Sequence, residues 1–137
     1  MTEEIGIIGV GEIARAIVQG LCAESDGAPA VLLSPRGAAV SADLARRYPS
    51  VRVCASNQEV VDSSAVVILA VRPDALLDAL GQLRVSPRTV VISVVAGVEH
   101  DELHALFGPG ITIVRAIPCR RYVAVTPSPS HIRPIRR

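Results

Sequence analysis

The residues best suited to chemistry form a glycine-rich turn near the start of the chain. The motif G-x-G-x-x-A occupies positions 9–14, directly after an apolar run and directly before an amphipathic stretch. In a strand–turn–helix unit, Gly9 allows a tight turn and Gly11 lets the backbone approach a pyrophosphate. Ala14 lets the helix pack closely on the sheet, and the helix N-terminus faces the phosphate charge. The motif predicts a dinucleotide site, the alternative being a glycine turn that serves packing alone.

The segment after the second predicted strand indicates which dinucleotide. Sites for NAD usually carry Asp or Glu there, about 20 residues past the glycines, to accept from the ribose 2′-hydroxyl. This chain has Ser34-Pro35-Arg36-Gly37, without an acid. Ser34 can donate to a 2′-phosphate and Arg36 can pair with it through its guanidinium group. The segment therefore favours NADP as the cofactor, unless Arg36 is an ordinary exposed loop cation.

Other candidates for chemistry are weaker. His100 and His104 share one face of a predicted helix, but no cysteine or acid constellation accompanies them, so surface histidines are expected and no metal site is predicted. The three cysteines, an odd number without C-x-x-C spacing, fit neither a disulfide framework nor a zinc site. Cys119, beside two arginines, is the one candidate for a thiol of lowered pKa. No catalytic residue is assigned.

Predicted strands and helices alternate along the chain with short connections, and these elements must position the glycine turn. This order predicts an α/β fold, a Rossmann-like, doubly wound and mainly parallel sheet. It forms a single dinucleotide-binding domain over 1–117, followed by an irregular basic tail over 118–137. The predicted strands are 5–8, 30–33, 51–54, 65–71, 89–95 and 111–114. The predicted helices are 12–24, 41–48, a short one capped by Ser56 or Asn57, one that starts near Pro73 and carries Leu76, Leu77 and Leu80, and 99–107.

Composition narrows the class of protein. Half of the 137 residues are hydrophobic and 20% are charged, which is the balance of a folded domain. No apolar run approaches the ~20 residues of a membrane span, and acids rather than basic residues follow Met1, so a cytoplasmic protein is expected. All fourteen basic residues are Arg, and six lie in 115–137, which has no acid. That tail has one aromatic residue and no nucleic-acid motif, so neither nucleic acid nor membrane is expected as a partner.

The ordered set of segments resembles pyrroline-5-carboxylate reductase, the last enzyme of proline synthesis. The likeness runs from Ile5 through the glycine turn to Leu21 and spans roughly residues 4–118. It continues through the segments Ser34-Pro35-Arg36, Ser56-Asn57, Val67 to Pro73, Val91 to Gly97, and Val114 to Pro118.

The resemblance implies an NADPH-dependent reduction of a cyclic imine carboxylate to L-proline. It implies that Gly9, Val10, Gly11, Glu12 and Ile13 hold the pyrophosphate, that Ser34 and Arg36 hold the 2′-phosphate, and that Asn57 lies near the adenosine ribose. It places Ala70, Val71, Arg72, Pro73, Ala96 and Gly97 along the nicotinamide half. For Asn57 a purely capping role stays open, and for Ala70, Val71 and Ala96 a purely packing role.

The chain departs from the family pattern after Pro118. Family members continue into a helical domain that forms the homo-oligomer and grips the substrate carboxylate, whereas here Cys119-Arg120-Arg121 follows. We therefore expect a truncated or frameshifted reductase, which holds cofactor but has little activity alone. The alternatives are a non-catalytic NADP-binding module and the N-terminal domain of another NADP-dependent imine or deazaflavin oxidoreductase.

Overall fold

A fully parallel sheet forms the centre of the molecule. The computed structural model describes residues 4–23 and 28–117. Six strands lie in the order β3-β2-β1-β4-β5-β6. They are β1 (Ile5–Ile8), β2 (Val31–Leu33), β3 (Val51–Val53), β4 (Val66–Leu69), β5 (Val90–Ser93) and β6 (Thr112–Arg115). The helices are α1 (Glu12–Leu21), α2 (Ala38–Arg47), α3 (Asn57–Asp62), a 3₁₀ turn (Pro73–Ala75), α4 (Leu76–Leu80) and α5 (His100–Phe107). The predicted Rossmann-like fold is confirmed, and the predicted tail at 118–137 lies outside the described residues.

The strand order creates a crevice beside the glycine turn. β1 pairs in parallel with both β2 and β4, because the chain runs outward from β1 to β2 and β3 and then crosses back to β4 on the other side of β1. In open α/β sheets ligands bind outside the carboxyl ends of the strands at such a switch point. The turn that follows β1 is therefore placed where a ligand would enter.

Apolar side chains cover both faces of the sheet, as expected for parallel strands that are buried on both sides. Ile7 and Leu33 face α1 and α2, whereas Ile8 and Leu69 face the other three helices. Ala14 is fully buried, which fits its predicted role in close helix–sheet packing. Helices therefore pack on both faces of the sheet.

Some predicted boundaries were wrong, and one leucine of α4 is exposed. β4 ends at Leu69 and β5 at Ser93, because the chain turns out of the sheet at its carboxyl edge. α2 begins three residues early, at Ala38, with Gly37 as its N-cap. Leu77 is 68% exposed, since α4 is a single short helix that buries only its other side.

Asp43 on α2 joins the first two helices through arginines. Its carboxylate lies 3.5 Å from Arg15 Nη1 on α1, 3.0 Å from Arg46 Nη2 and 3.1 Å from Arg47 Nε. The hydrogen bond from Arg46 and the neighbouring Arg47 charge hold the pKa of Asp43 below its ordinary value of 3.8. The ionised carboxylate therefore stabilises the folded chain.

Replacing Asp43 with Asn is expected to lower the Tm at neutral pH. A folded-state pKa below 3.8 means that this stabilisation is present above pH 3.8 and is lost as the pH falls through the folded-state value. Thermal unfolding of both proteins across this range measures the effect, and the gap in Tm should close at the acid end. Asp74→Asn is the control, because Asp74 pairs with Arg72 fully at the surface. A gap that persists in acid would contradict the assignment.

Candidate functional site

Gly9 ends β1 in a conformation that other residues rarely adopt. Its φ is +89°, in the left-handed region that favours glycine. A Cβ built on Gly9 would lie 2.7 Å from the Val71 backbone nitrogen and 2.8 Å from the Ala70 carbonyl carbon. The turn is therefore pressed against the carboxyl end of β4, and only glycine fits there.

Gly11 differs from Gly9, because no contact among the described residues requires its lack of a side chain. It is the N-cap of α1 with φ −121° and ψ −152°, extended backbone that any residue adopts. A Cβ built on it would meet no atom within 4 Å. No side chain caps the first turn of α1, so its free N–H groups and dipole are available to an anion. The open space at Gly11 therefore fits a phosphate drawn close to the backbone.

A cleft of about 640 Å³ opens from this turn across the carboxyl ends of the strands. Its walls are largely apolar, with Glu12, Arg72 and Arg115 as the charged lining residues. Nine of the predicted site residues line it: Gly11, Glu12, Ile13, Ala70, Val71, Arg72, Pro73, Ala96 and Gly97. The structure therefore brings together the predicted pyrophosphate and nicotinamide segments.

Arg115 lies at the far wall of the cleft, at the end of β6. Its Nη1 donates to Glu99 Oε2 at 2.9 Å, and its side chain is 27% exposed. Arg72, at the carboxyl end of β4, is by contrast 87% exposed and lies 3.6 Å from Asp74 Oδ1. Arg115 is thus a partly buried cation paired with Glu99, whereas Arg72 lies at the surface of the cleft.

The predicted 2′-phosphate residues are separated by the fold. Ser34 is fully buried, and its Oγ accepts a hydrogen bond from the Gly9 N–H at 3.0 Å. Arg36 is exposed, two residues further along the same loop. The hydroxyl of Ser34 is thus directed into the turn and away from solvent, so a 2′-phosphate at this loop would meet Arg36.

Asn57 and Val10 lie outside the cleft lining. Ser56 is the N-cap of α3, and its Oγ accepts from the Glu59 N–H at 3.1 Å. The Asn57 side-chain amide donates to the Ala79 carbonyl at 3.2 Å, so it ties α3 to α4. A ribose contact for Asn57 stays a prediction. Val10 is 6% exposed, and only its backbone belongs to the turn.

The described histidines and cysteines have structural surroundings rather than a metal site or a reactive environment. His100 Nε2 lies 3.3 Å from the Ile113 carbonyl, and His104 Nδ1 lies 3.1 Å from the His100 carbonyl. Within 4–23 and 28–117, no three metal-binding side chains come together. Burial raises the pKa of the Cys54 thiol, and Cys22 Sγ packs 3.5 Å from Ser50 Oγ. Cys119 lies outside the described residues.

Comparison with known proteins identifies the family. Residues 4–97 match the family model described as "NADP oxidoreductase coenzyme F420-dependent". The chain belongs to this oxidoreductase family.

Relatives of this oxidoreductase-family chain include pyrroline-5-carboxylate reductases. The enzyme of Synechocystis sp. is 38% identical over 121 residues, which are 86% of this chain and 44% of that protein. The enzyme of Pseudomonas aeruginosa is 31% identical over 119 residues, 85% of this chain and 43% of that protein. The chain thus spans less than half the length of these relatives.

The fold of this chain also matches a solved structure. Pyrroline-5-carboxylate reductase from Streptococcus pyogenes superposes with a TM-score of 0.71 and 28% identity, over 84% of this chain and 42% of that one. The fold and the family match together show that the chain has the NAD(P)-binding Rossmann-like domain of the oxidoreductase family.

Across the part of the chain that the structure describes, no helix has the length and apolarity needed to cross a membrane.

Five lining residues of this oxidoreductase domain were missed by the sequence analysis: Val94, Val95, Arg115, Ala116 and Ile117. They follow β5 or end β6, so they lie at the same edge of the sheet as the glycine turn. A rule that ligands bind beyond the carboxyl ends of parallel strands would have selected them. In particular, it would have selected Arg115, a cation at a strand end.

Proposed function

We propose that this chain is the NADPH-binding part of an imine reductase that acts on pyrroline-5-carboxylate. The observation that carries the proposal is the open space at Gly11, which lies between an uncapped helix N-terminus and an apolar cleft. The uncapped helix N-terminus suits a pyrophosphate, and the apolar cleft suits a flat ring. The relatives named pyrroline-5-carboxylate reductase supply the substrate class.

The residues divide the work of holding a dinucleotide. Gly9 to Ile13 would hold the pyrophosphate, and Arg36 the 2′-phosphate. The segments Ala70 to Pro73 and Ala96-Gly97 would orient the nicotinamide ring and exclude water from one side of it. When bound, NADPH would supply the hydride that reduces the imine carbon.

NADPH is expected to bind more tightly than NADH, and Arg36→Ala to remove the preference. No acid follows β2, and Arg36 is exposed where a phosphate can reach it. Loss of one charge-assisted pair is worth about 1.5–3 kcal/mol, or ~10-fold or more in affinity for NADPH. Calorimetric titration of both dinucleotides against wild type and variant measures it.

The matched control for Arg36→Ala is Arg88→Ala. Arg88 is another exposed arginine, and it precedes β5 at the opposite edge of the sheet from the cleft. Its removal lowers the net charge equally and should leave both affinities unchanged. Equal affinity of the wild type for NADPH and NADH would refute the 2′-phosphate assignment.

The reaction is tested by NADPH oxidation with pyrroline-5-carboxylate as the acceptor. Imine-dependent oxidation that is lost in Gly11→Val supports the proposal. The described residues enclose only part of the cleft, since Ile117 on its wall is 88% exposed. Turnover by the 137 residues alone is therefore expected to be slow, because rate depends on a fixed near-attack geometry.

A second candidate function is an NADP oxidoreductase that uses coenzyme F420, as the family description states. The same assay with coenzyme F420 in place of the imine distinguishes the two. Oxidation with coenzyme F420 but not with the imine would overturn the first proposal in favour of the second.

A further inference from the structure

We propose that Ser34 is a positioning residue that holds the glycine turn in its binding conformation. This inference rests on the proposed dinucleotide function and deepens it. The Ser34 Oγ accepts the Gly9 N–H at 3.0 Å, and the Ser34 side chain is 0% exposed. Its hydroxyl therefore affects a bound dinucleotide only by holding the glycine turn in place.

Ser34 is itself held at the carboxyl edge of the sheet. Its N–H donates to the Ile7 carbonyl at 3.0 Å, which extends the β1–β2 ladder by one residue. Its carbonyl accepts from Ser41 Oγ of α2 at 3.2 Å, and Ser41 is also fully buried. The hydroxyl that meets Gly9 thus comes from a fixed point between a strand and a helix.

A second contact seats the loop after β2 on the glycine turn. Gly37 has φ +79°, and a Cβ built on it would collide with the Val10 carbonyl oxygen. The backbones of the two loops therefore touch at Val10 and Gly37, while Ser34 joins them at Gly9. Since the loop after β2 also carries Arg36, the pyrophosphate and 2′-phosphate subsites are set relative to each other by these contacts.

The Gly9 amide needs such a partner because it lies just beyond the last residue of β1. Among the described residues its N–H has no backbone acceptor, and an N–H without a partner in this partly buried position costs free energy. A serine at the end of β2 supplies the acceptor. Without it the turn would relax, and the pyrophosphate shared by NADPH and NADH would bind less well.

Ser34→Ala is expected to weaken NADPH and NADH alike, by about three- to tenfold each, with their affinity ratio unchanged. Titration of both dinucleotides measures this, beside Arg36→Ala, which should weaken NADPH alone. Ser64→Ala is the control, a buried serine whose Oγ donates to the Val60 carbonyl before β4, away from the cleft. A loss confined to NADPH, or no loss for either dinucleotide, would overturn the proposal.

Hydrogen exchange of the Gly9 amide provides a readout that does not depend on the variant folding. In wild type without cofactor this amide should be protected, and in a folded Ser34→Ala it should exchange about tenfold faster, with Ser64→Ala like wild type. Rapid exchange in wild type would overturn the proposal even if Ser34→Ala fails to fold. A wild-type chain with a protected Gly9 amide that binds neither dinucleotide would instead refute the proposed function.

Discussion

A side chain placed on Gly11 is expected to weaken dinucleotide binding strongly and to leave the fold intact. The extended backbone of Gly11 accepts any residue, and its Cβ position is free of protein atoms. The same space is where a pyrophosphate would approach the backbone. We expect Gly11→Val to weaken NADPH binding by ~100-fold or more, about 2.7 kcal/mol, while the free energy of unfolding changes by less than about 1 kcal/mol. Titration and thermal unfolding measure the two effects.

Gly20→Ala is the matched control on the same helix. Gly20 is exposed near the end of α1, and a Cβ there also meets no atom within 4 Å. This variant should bind NADPH like wild type and should gain about 0.5–1 kcal/mol of stability, since alanine favours helix interiors. Wild-type affinity in Gly11→Val would show that no ligand occupies the space at Gly11.

Gly9→Ala is expected to have the opposite effect, a large loss of stability. The left-handed φ costs a side chain about 1–2 kcal/mol, and the collision with the end of β4 adds about 1–3 kcal/mol. The total, about 2–5 kcal/mol, lowers the denaturant midpoint with little change in slope. Urea unfolding measures it.

Gly108→Ala separates the two causes. Gly108, which ends α5, has φ +99° but open space at its Cβ position. It should lose only the conformational part, about 1–3 kcal/mol, because its φ of 99° with ψ of 157° lies in a region essentially restricted to glycine. Equal losses in Gly9→Ala and Gly108→Ala would mean that the turn does not press on Ala70 and Val71.

The sequence predicted the strands and the glycine turn because both are local patterns. Apolar runs such as that of β4, and glycines between a strand and a helix, can be interpreted without knowing which other segments they contact. The direction of the Ser34 hydroxyl was not predictable in this way, since it depends on the N–H of Gly9, which follows the neighbouring strand β1. The early start of α2 depends likewise on the contact between Gly37 and Val10.

The wall that Arg115 adds to the cleft illustrates the same limit. Its role follows from the register that aligns Ser93 with Arg115, and from the ion pair with Glu99. Neither pairing can be recognised from the spacing of residues along the chain. Contacts between distant segments thus decided what sequence patterns left open.

The position of β1 between β2 and β4 has a consequence for how the protein is made. Of the six described strands β1 is synthesised first, yet one of its edges has no partner until β4, whose Val66 aligns with Ile5, has been synthesised. The Gly9 turn packs on Ala70 and Val71, so it cannot take its final shape before then. A nascent chain that ends before Val71 would expose an apolar strand edge and lack a binding site, which makes it a target for chaperones. Retention on an immobilised dinucleotide would therefore begin only at lengths beyond the completion of this central strand pair, because residues after β5 and β6 also line the cleft.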